Sequence, residues 1–221
     1  MNIEYIKRTY IKRKYSYLCN TRSDINEHLP ILYKYATECN SVFETGVRGC
    51  ISSWAFTLGL LTPNKPTSPL SPARLLCNDI TPCDIKELLA QTNRNNNLSI
   101  SYLWKNNLDI DLEKDLYNQS FDLLFIDTWH IYGQLKRELN KFHSITNKYI
   151  IMHDTTVDEF YGETIRSRWN AEKQSKISGI PIEEINKGLG PAIDEFLNEH
   201  PEWTLKEKLT NNNGLTVLMR V

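Results

Sequence analysis

Phe121-Asp-Leu-Leu-Phe-Ile-Asp127 is a largely apolar run that ends in an acidic residue and is followed by Thr-Trp-His130. Lys148-Tyr-Ile-Ile-Met-His-Asp154 repeats this pattern further along the chain. Short apolar runs without polar alternation are typical of strands that are covered on both faces, as in a parallel sheet. Both runs are therefore predicted to be buried strands, each with an aspartate at its carboxyl end.

Two similar runs occur earlier in the chain, and helical patterns lie between the strands. Ser41-Val-Phe-Glu44 and Arg74-Leu-Leu-Cys-Asn-Asp79 are short and apolar and also end in an acidic residue, whereas residues 98–103 form a weaker candidate. This alternation of strand and helix predicts an α/β fold with a mostly parallel sheet and helices on both faces. The predicted helices are residues 24–36, residues 53–61, a helix that begins at Thr81-Pro82, and residues 132–143.

The carboxyl-terminal part of the sequence has a different pattern. Residues 192–197 are helical and follow Gly190-Pro191. Residues 203–209 and 215–221 then alternate around Asn211-Asn-Asn-Gly214, which is typical of a hairpin. The parallel sheet is therefore predicted to end in an antiparallel pair of strands.

Composition and charge limit the classes of protein and of partner. The chain has 221 residues, of which 40% are hydrophobic, and a net charge of -1, so it can bury a core but gives no electrostatic case for nucleic acid or an anionic membrane. No apolar run is long enough for a membrane span, and the basic amino terminus lacks the apolar core of a signal peptide. The cysteines form no CxxC pair, which favours free thiols and a cytoplasmic location; they are Cys19, Cys39, Cys50, Cys77 and Cys83.

The sequence shows no internal repeat and no clean domain boundary. We predict a single domain over residues 1–221, with residues 1–40 as an amino-terminal helical extension. The proline-rich residues 62–73 are predicted to form a surface loop, because they are too few for a linker between domains. Formation of a homo-oligomer is left open.

The first predicted strand leads into Glu44-Thr-Gly-Val-Arg-Gly-Cys-Ile-Ser-Ser53. A glycine-bearing turn between a strand and a helix lets a ligand approach the backbone at the carboxyl edge of the sheet. The turn is neither a P-loop nor a GxGxxG dinucleotide motif, since Arg48 stands at the place of the second glycine. Glu44 would suit a ligand with a cationic group. The alternative is an ordinary turn without a ligand.

Acidic residues at the ends of the other strands are the remaining candidates for chemistry. Asp79 is placed to accept hydrogen bonds from a ribose diol, or else starts the next helix. Asp127 and Asp154 end neighbouring strands, and two carboxylates with added oxygen ligands suit a hard ion such as Mg²⁺. Without a metal they would repel, and one would be protonated. His130 could act with Asp127 in proton transfer, or simply start a helix. His153 is expected to support the strand end through a backbone hydrogen bond, with a ligand role as the alternative.

In this order the motifs resemble class I S-adenosylmethionine-dependent methyltransferases, above all the small O-methyltransferases around catechol O-methyltransferase and the macrocin-type sugar O-methyltransferases. The resemblance covers roughly residues 41–156 and implies a Rossmann-like, seven-stranded sheet. It implies Asp127 and His130 as catalytic residues, and Asp127, Asp154 and Thr155 as ligands of Mg²⁺ or another divalent cation. The residues implied for S-adenosylmethionine are Glu44, Thr45, Gly46, Ser52, Ser53, Asp79, Ile80 and Asp127.

The chain departs from that pattern at four places. Arg48 and Cys50 stand where glycine is common, His130 stands where the catechol enzymes have lysine, and Thr155 stands where they have asparagine. The donor site is therefore expected to follow the pattern of those methyltransferases more closely than the metal site does.

The function predicted from the resemblance is methyl transfer to a hydroxyl group of a small molecule or glycan, with a sugar as first choice. Residues 158–188 are expected to cover the acceptor, with Tyr161, Arg166, Arg168 and Trp169 as contacts, or else to be an ordinary surface segment. The alternatives are a phenolic acceptor, a non-catalytic S-adenosylmethionine-binding relative, and a different chemistry on the same scaffold, as in cephalosporin hydroxylase-like relatives.

Overall fold

The computed structural model describes residues 3–62, 72–92 and 97–221. The strands form one seven-stranded mixed sheet in the order β3-β2-β1-β4-β5-β7-β6. Strands β1, β2 and β3 pair in parallel, whereas β7 pairs antiparallel with both β5 and β6. The strands are β1 (Ser41–Thr45), β2 (Ala73–Asp79), β3 (Leu98–Trp104), β4 (Phe121–Ile126), β5 (Thr146–His153), β6 (Trp203–Leu209) and β7 (Leu215–Arg220).

The predicted fold class is confirmed, since the sheet is mostly parallel and ends in an antiparallel hairpin. Helices surround it, and short 3₁₀ turns occur at Asn26–His28, Asn107–Asp109 and His143–Ile145. The α-helices of the described part of the chain are α1 (Ile3–Asn20), α2 (Leu29–Thr37), α3 (Ile51–Leu60), α4 (Lys86–Thr92), α5 (Tyr132–Phe142), α6 (Glu163–Arg166), α7 (Ala171–Ser178), α8 (Ile182–Asn186) and α9 (Gly190–Glu199).

The chain divides into two compact units, Met1–Phe125 and Ile126–Val221. The prediction of a single domain over the whole chain stays a prediction. None of the helices that the structure describes has the length and apolar character that crossing a bilayer requires.

The first unit is built around β1, whose five residues are all buried. Helix α3 is buried from Ser52 to Leu60, because its sequence is apolar on every side. Gly59 lies where α3 meets α2, and a Cβ atom there would collide with Ala36 and with the Tyr33 carbonyl oxygen. The absence of a side chain at this position lets the two helices approach closely.

In the second unit, α5 and α9 bury one face each. Leu135, Leu139 and Phe142 of α5 are buried, as are Ile193 and Phe196 of α9. The predicted amphipathic pattern of residues 132–143 is therefore confirmed, and only its last residue belongs to the 3₁₀ turn instead of the helix.

Two predicted helices begin later than the sequence indicated. No helix begins at Thr81-Pro82, because the Asp79 carboxylate binds the Thr81 N–H and hydroxyl and holds these residues in a turn; α4 begins at Lys86. The predicted helix 24–36 is a 3₁₀ turn followed by α2, which has a proline in its first turn. The proline-rich loop predicted over residues 62–73 lies, except at its ends, outside the described residues.

Candidate functional site

The loop after β1 has the left-handed backbone that a glycine-rich turn normally provides. Gly46 has a φ of 84°, and its N–H donates to the Asn78 carbonyl oxygen of β2 at 2.9 Å. Arg48 and Cys50 have φ values of 42° and 59°. The two residues that replace glycine therefore adopt the conformation that glycine takes at little cost, and the shape of the turn is kept.

The Asp79 carboxylate holds this loop at the end of β2. Its Oδ2 accepts hydrogen bonds from the backbone N–H groups of Val47 and Arg48, each at 2.9 Å. Its Oδ1 accepts from the N–H and the hydroxyl of Thr81, each at 2.8 Å. Partial burial alone would raise the pKa of Asp79, but these hydrogen bonds outweigh it and hold the pKa below its usual value. The four bonds fill the acceptor positions of the carboxylate.

Glu44 is fully buried and joins β1 to the first turn of α3. One of its oxygens accepts from the Ser52 hydroxyl, and the other accepts from the Ser53 hydroxyl at 2.6 Å. A carboxylate at a helix amino terminus is stabilised by the helix dipole. The predicted residues Glu44, Ser52 and Ser53 therefore lie together and fix the loop to the helix that follows it.

An exposed apolar pair flanks Asp79. Ile80 and Trp104 are 66% and 64% exposed, and the Trp104 indole N–H donates to the Ile80 carbonyl oxygen at 3.0 Å. Ile80 is one of the residues that the resemblance implied for S-adenosylmethionine, whereas Trp104 is not. Trp104 directly follows the weakest predicted strand, residues 98–103, and in the structure it is the last residue of β3. Thr45, also predicted here, is buried and donates to the Phe125 carbonyl oxygen at 3.1 Å.

The second unit contains a separate group of ionisable side chains, which we call the acid–histidine cluster: Asp127, His130, His153, Asp154 and Asp158. The His130 ring is its centre. Nε2 lies 3.1 Å from Asp127 Oδ1, while Nδ1 lies 2.9 Å from Asp154 Oδ2 and 3.4 Å from Asp158 Oδ2. Asp127 and Asp154, which were predicted to approach one another, thus lie on the two nitrogens of the same imidazole ring.

His153 lies on the other side of the same two aspartates. Its Nδ1 is 3.4 Å from Asp127 Oδ1 and 3.3 Å from Asp154 Oδ1. A supporting backbone hydrogen bond was expected of this residue, with a ligand role as the alternative, and its ring is buried within the cluster. Asp154 itself has a φ of 57°, a conformation that costs a non-glycine residue roughly 1–2 kcal/mol.

Asp158 was missed in the sequence, although it follows Asp154 by one helical turn. The Asp158 N–H donates to the Asp154 carbonyl oxygen at 3.1 Å, which places both carboxylates on the same side. The Asp158 side chain is fully buried and binds the Arg166 guanidinium through two bonds of 2.6 and 2.8 Å. Arg166, predicted as an acceptor contact, is therefore paired with the cluster.

The charges in the cluster shift its pKa values in opposite directions. Burial opposes ionisation of Asp127, but His130 and His153 outweigh it and lower the pKa of Asp127. Burial also disfavours the cationic form of His130, yet the nearby carboxylates of Asp127, Asp154 and Asp158 raise the pKa of His130 well above its usual value. The pKa of His153 is raised in the same way by Asp127. The carboxylates around the ring thus favour the cationic form of His130.

The donor atoms of the cluster also fit a divalent cation. Asp127, His153 and Asp154 offer atoms within 4.8 Å of one another, and so do His130, Asp154 and Asp158. Asp154 Oδ1 is buried and makes no hydrogen bond in the described part of the chain. Carboxylate oxygens alone suit a hard ion, whereas carboxylates with imidazoles suit a transition metal.

Thr155, predicted as the third ligand, is buried and shares a hydrogen bond of 2.9 Å with the Thr216 hydroxyl of β7. The residues between Asp127 and His130 have structural contacts as well. Thr128 donates to Glu138 at 2.6 Å, and Trp129 packs against Ile131 and its neighbours. The role of Thr155 as a ligand stays a prediction.

The predicted acceptor-cover segment, residues 158–188, exposes several large side chains. Phe160 and Tyr161 are 71% and 69% exposed, and Trp169 is 49% exposed. The aromatic side chains stand on the same segment that supplies Asp158 and Arg166. The Tyr161 backbone forms a bridge with Lys187, which closes the segment at its base.

Neither a known protein family nor a curated protein sequence matches this chain. Solved structures do match its fold. An O-methyltransferase from Bacillus cereus in complex with S-adenosylhomocysteine has a TM-score of 0.58 at 12% identity, over 97% of this chain and 90% of that one. TomG from Streptomyces achromogenes, an O-methyltransferase of tomaymycin synthesis in complex with S-adenosylmethionine, has a TM-score of 0.57 at 11% identity, over 97% and 89% of the two chains.

The chain has the fold of S-adenosylmethionine-dependent methyltransferases. NodS from Bradyrhizobium japonicum, an N-methyltransferase, shares it as well, with a TM-score of 0.53 at 15% identity over 89% of this chain and 96% of that one. Because nitrogen and oxygen methyltransferases both match, the fold alone does not determine the acceptor atom.

Proposed function

We propose that this protein is an S-adenosylmethionine-dependent O-methyltransferase. The observation that carries the proposal is the loop after β1, fixed by Glu44 on one side and by Asp79 on the other, in a fold shared with methyltransferases that hold S-adenosylmethionine or S-adenosylhomocysteine. In open α/β sheets, ligands bind at the carboxyl ends of the strands, which is where this loop lies.

In this proposal Asp79 binds the ribose of the donor by exchanging partners. A ribose diol would replace loop N–H groups as the donor of hydrogen bonds to the carboxylate, so binding is coupled to a shift of residues 47–48. The exposed faces of Ile80 and Trp104 would pack against the adenine ring, since both side chains flank Asp79. Glu44 accepts hydrogen bonds from Ser52 and Ser53 of α3. In this proposal those bonds hold the loop backbone around Thr45 and Gly46 in position.

The acid–histidine cluster is proposed to act on the acceptor. The methyl group passes from the sulfonium of the donor to the acceptor oxygen, the carbon–sulfur bond breaks, and the hydroxyl proton goes to a base. His130 can take that proton only as a neutral imidazole, so its carboxylate neighbours delay its action to higher pH. A divalent cation held by Asp127 and Asp154, with Thr155 as the predicted third ligand, would lower the pKa of the acceptor hydroxyl.

A sugar hydroxyl, on a small molecule or a glycan, is the proposed acceptor. Phe160, Tyr161 and Trp169 are exposed on the segment that also supplies Asp158, and flat aromatic faces pack against the apolar faces of sugar rings. The side chains of this segment also include Arg168, whose guanidinium could donate to sugar hydroxyls. A phenolic acceptor is the competing choice within the same reaction.

A non-catalytic donor-binding relative is the second candidate. The placement of the His130 ring among the carboxylates of Asp127, Asp154 and Asp158 favours it, because these charges stabilise the cationic ring, which cannot accept a proton. A cluster in which every carboxylate faces a cation could serve only to stabilise the second unit. Both candidates bind the donor, but only the methyltransferase transfers its methyl group.

The test is a transfer assay with donor that carries a deuterated methyl group. Methyl glycosides and catechol serve as acceptors, with and without chelator, and mass spectrometry detects the added CD₃. We expect transfer to a glycoside oxygen, with strong loss in Asp127→Asn and Asp154→Asn. Donor binding without transfer to any acceptor would favour the non-catalytic candidate. Transfer that survives chelation would show that the reaction needs no metal ion.

A further inference from the structure

A second group of metal-ligating side chains lies outside the sites described above. His143 follows the last residue of α5, His200 follows the last residue of α9, and Glu202 comes directly before β6. All three belong to the second unit and are partly buried or half-exposed. The group therefore joins the carboxyl ends of two helices to the start of an edge strand.

The donor atoms of this group are spaced as in a metal site. His143 Nδ1 lies 3.7 Å from Glu202 Oε1, and His200 Nδ1 lies 3.4 Å from the same oxygen. The three donors lie within 4.8 Å of one another. In a tetrahedral zinc site with bonds of about 2.0–2.1 Å, neighbouring donor atoms are roughly 3.4 Å apart. Small side-chain movements would complete that geometry.

The His143 ring supports this reading independently of the distances. Its Nδ1 atom is buried and makes no hydrogen bond with any described residue. A buried polar atom without a partner is unfavourable, and a ligand at this position would satisfy it.

Packing holds both imidazole rings in place. The ring centroids of His143 and His200 are 4.2 Å apart, and the Phe196 ring lies 5.6 Å from the first and 4.5 Å from the second. The positive charge of Arg220 opposes a cation at this position, since its guanidinium lies beside His143 and donates to the His143 carbonyl oxygen at 2.8 Å. That guanidinium also stacks on Trp203, at 4.9 Å from the ring centroid, and this contact keeps it in place beside the rings.

We propose that His143, His200 and Glu202 form a binding site for Zn²⁺, with water in the fourth position. Two imidazoles and one carboxylate are a donor set that zinc accepts readily. The bound ion would tie the ends of α5 and α9 to the start of β6. The site is separate from the acid–histidine cluster, so its occupancy does not depend on methyl transfer.

The experiment is a Zn²⁺ titration of chelator-treated, desalted protein, followed by calorimetry and by the melting temperature. Glu202→Gln and His200→Gln remove single ligands with little change in volume. Glu199→Gln is the matched control, since it removes the same charge from the exposed end of α9. Asp154→Asn serves to separate this site from the acid–histidine cluster. We expect Glu202→Gln and His200→Gln to weaken Zn²⁺ binding at least about tenfold and to lose the zinc-dependent rise in melting temperature.

Glu199→Gln and Asp154→Asn should keep that binding step. A second readout is Co²⁺, whose visible absorption should show tetrahedral coordination in the wild type and lose it in Glu202→Gln. The proposal is overturned if the wild type binds no Zn²⁺. It is also overturned if Glu202→Gln and Glu199→Gln bind it equally, or if Asp154→Asn alone removes the binding.

Discussion

The Asp79 carboxylate holds the turn after β1, and this role has a measurable pH dependence. Its hydrogen bonds from Val47, Arg48 and Thr81 stabilise the ionised form and keep the pKa of Asp79 below 3.8, its usual value. A carboxylate with a lowered pKa contributes stability above that usual value and loses it as the pH falls through the folded pKa. Acid therefore releases the turn.

We predict that Asp79→Asn lowers the free energy of unfolding at neutral pH, and that the difference from wild type shrinks below about pH 4, where the unfolded aspartate takes up its proton. Urea unfolding of both proteins at several pH values measures this. A difference that stays constant down to the most acidic pH would mean that the charge of Asp79 contributes nothing.

The pKa of the His130 ring is raised, whereas that of Asp79 is lowered. In chelator-treated protein the neutral ring, which alone accepts a proton, forms at a higher pH than it does in an isolated histidine. The carboxylates of Asp127, Asp154 and Asp158 move the ionisation of the ring upward from the range of an isolated histidine.

For His130→Gln we predict a loss of turnover of ~10²–10⁴-fold, the usual size of a general-base contribution, with unchanged affinity for S-adenosylhomocysteine. Wild-type turnover should rise with pH above neutral, and the variant should lose that rise. Full turnover in the variant with the same pH profile would pass the base role to another group.

At the level of elements, the turn between β6 and β7 requires glycine at one position. Gly214 has a φ of +98°, and a Cβ atom there would collide with Thr156, whose own Cβ would be 2.7 Å away. Gly179 ends α7 with a φ of +73° and has nothing within 4 Å of the added atom. A side chain at Gly179 would meet only the cost of the left-handed backbone, whereas one at Gly214 would meet that cost and a steric collision as well.

We predict that Gly179→Ala costs about 1–2 kcal/mol of stability, the price of a left-handed alanine. Gly214→Ala should cost clearly more, since the collision with Thr156 is added. Denaturant unfolding of both variants compares them directly. Equal losses would show that Thr156 moves aside freely and that the turn is not held as described.

The segment after β5 is tied to the acid–histidine cluster by the Asp158–Arg166 pair. Arg166→Met would leave the buried Asp158 carboxylate facing His130 alone, and we predict a loss of roughly 1–3 kcal/mol. The 41% exposure of the Arg166 side chain keeps the value below that of a fully buried pair. Arg168→Met, two residues on, should change stability by less than about 0.5 kcal/mol. Equal effects of the two changes on the unfolding midpoint would contradict this role.

The elements were largely readable from the sequence because of their patterns. Continuous apolar runs identify β4 and β5, and the alternating runs around Asn211-Asn-Asn-Gly214 identify the hairpin. The late start of α4 was not readable, since it depends on the Asp79 side chain competing for the Thr81 N–H group. A local sequence rule cannot weigh such a tertiary contact.

The candidate sites were readable in part. Strand ends predicted Asp79, Asp127 and Asp154, because parallel strands end at one edge of a sheet. Asp158 was not predicted, since its carboxylate reaches the cluster only through the turn that follows β5. The position of the His130 ring between carboxylates depends on packing, which a sequence pattern does not describe.

For the molecule as a whole, the central claim is that S-adenosylmethionine binds at the loop after β1. Isothermal titration calorimetry with S-adenosylhomocysteine tests it most directly, on the wild type, on Asp79→Ala and on the exposed control Glu113→Ala. We predict one saturable site per chain in the wild type and in Glu113→Ala. Asp79→Ala should bind more weakly by ~1–3 kcal/mol, the cost of lost hydrogen bonds to a charged group. A wild type that takes up no S-adenosylhomocysteine, or an Asp79→Ala variant that binds it with unchanged affinity, would contradict the claim.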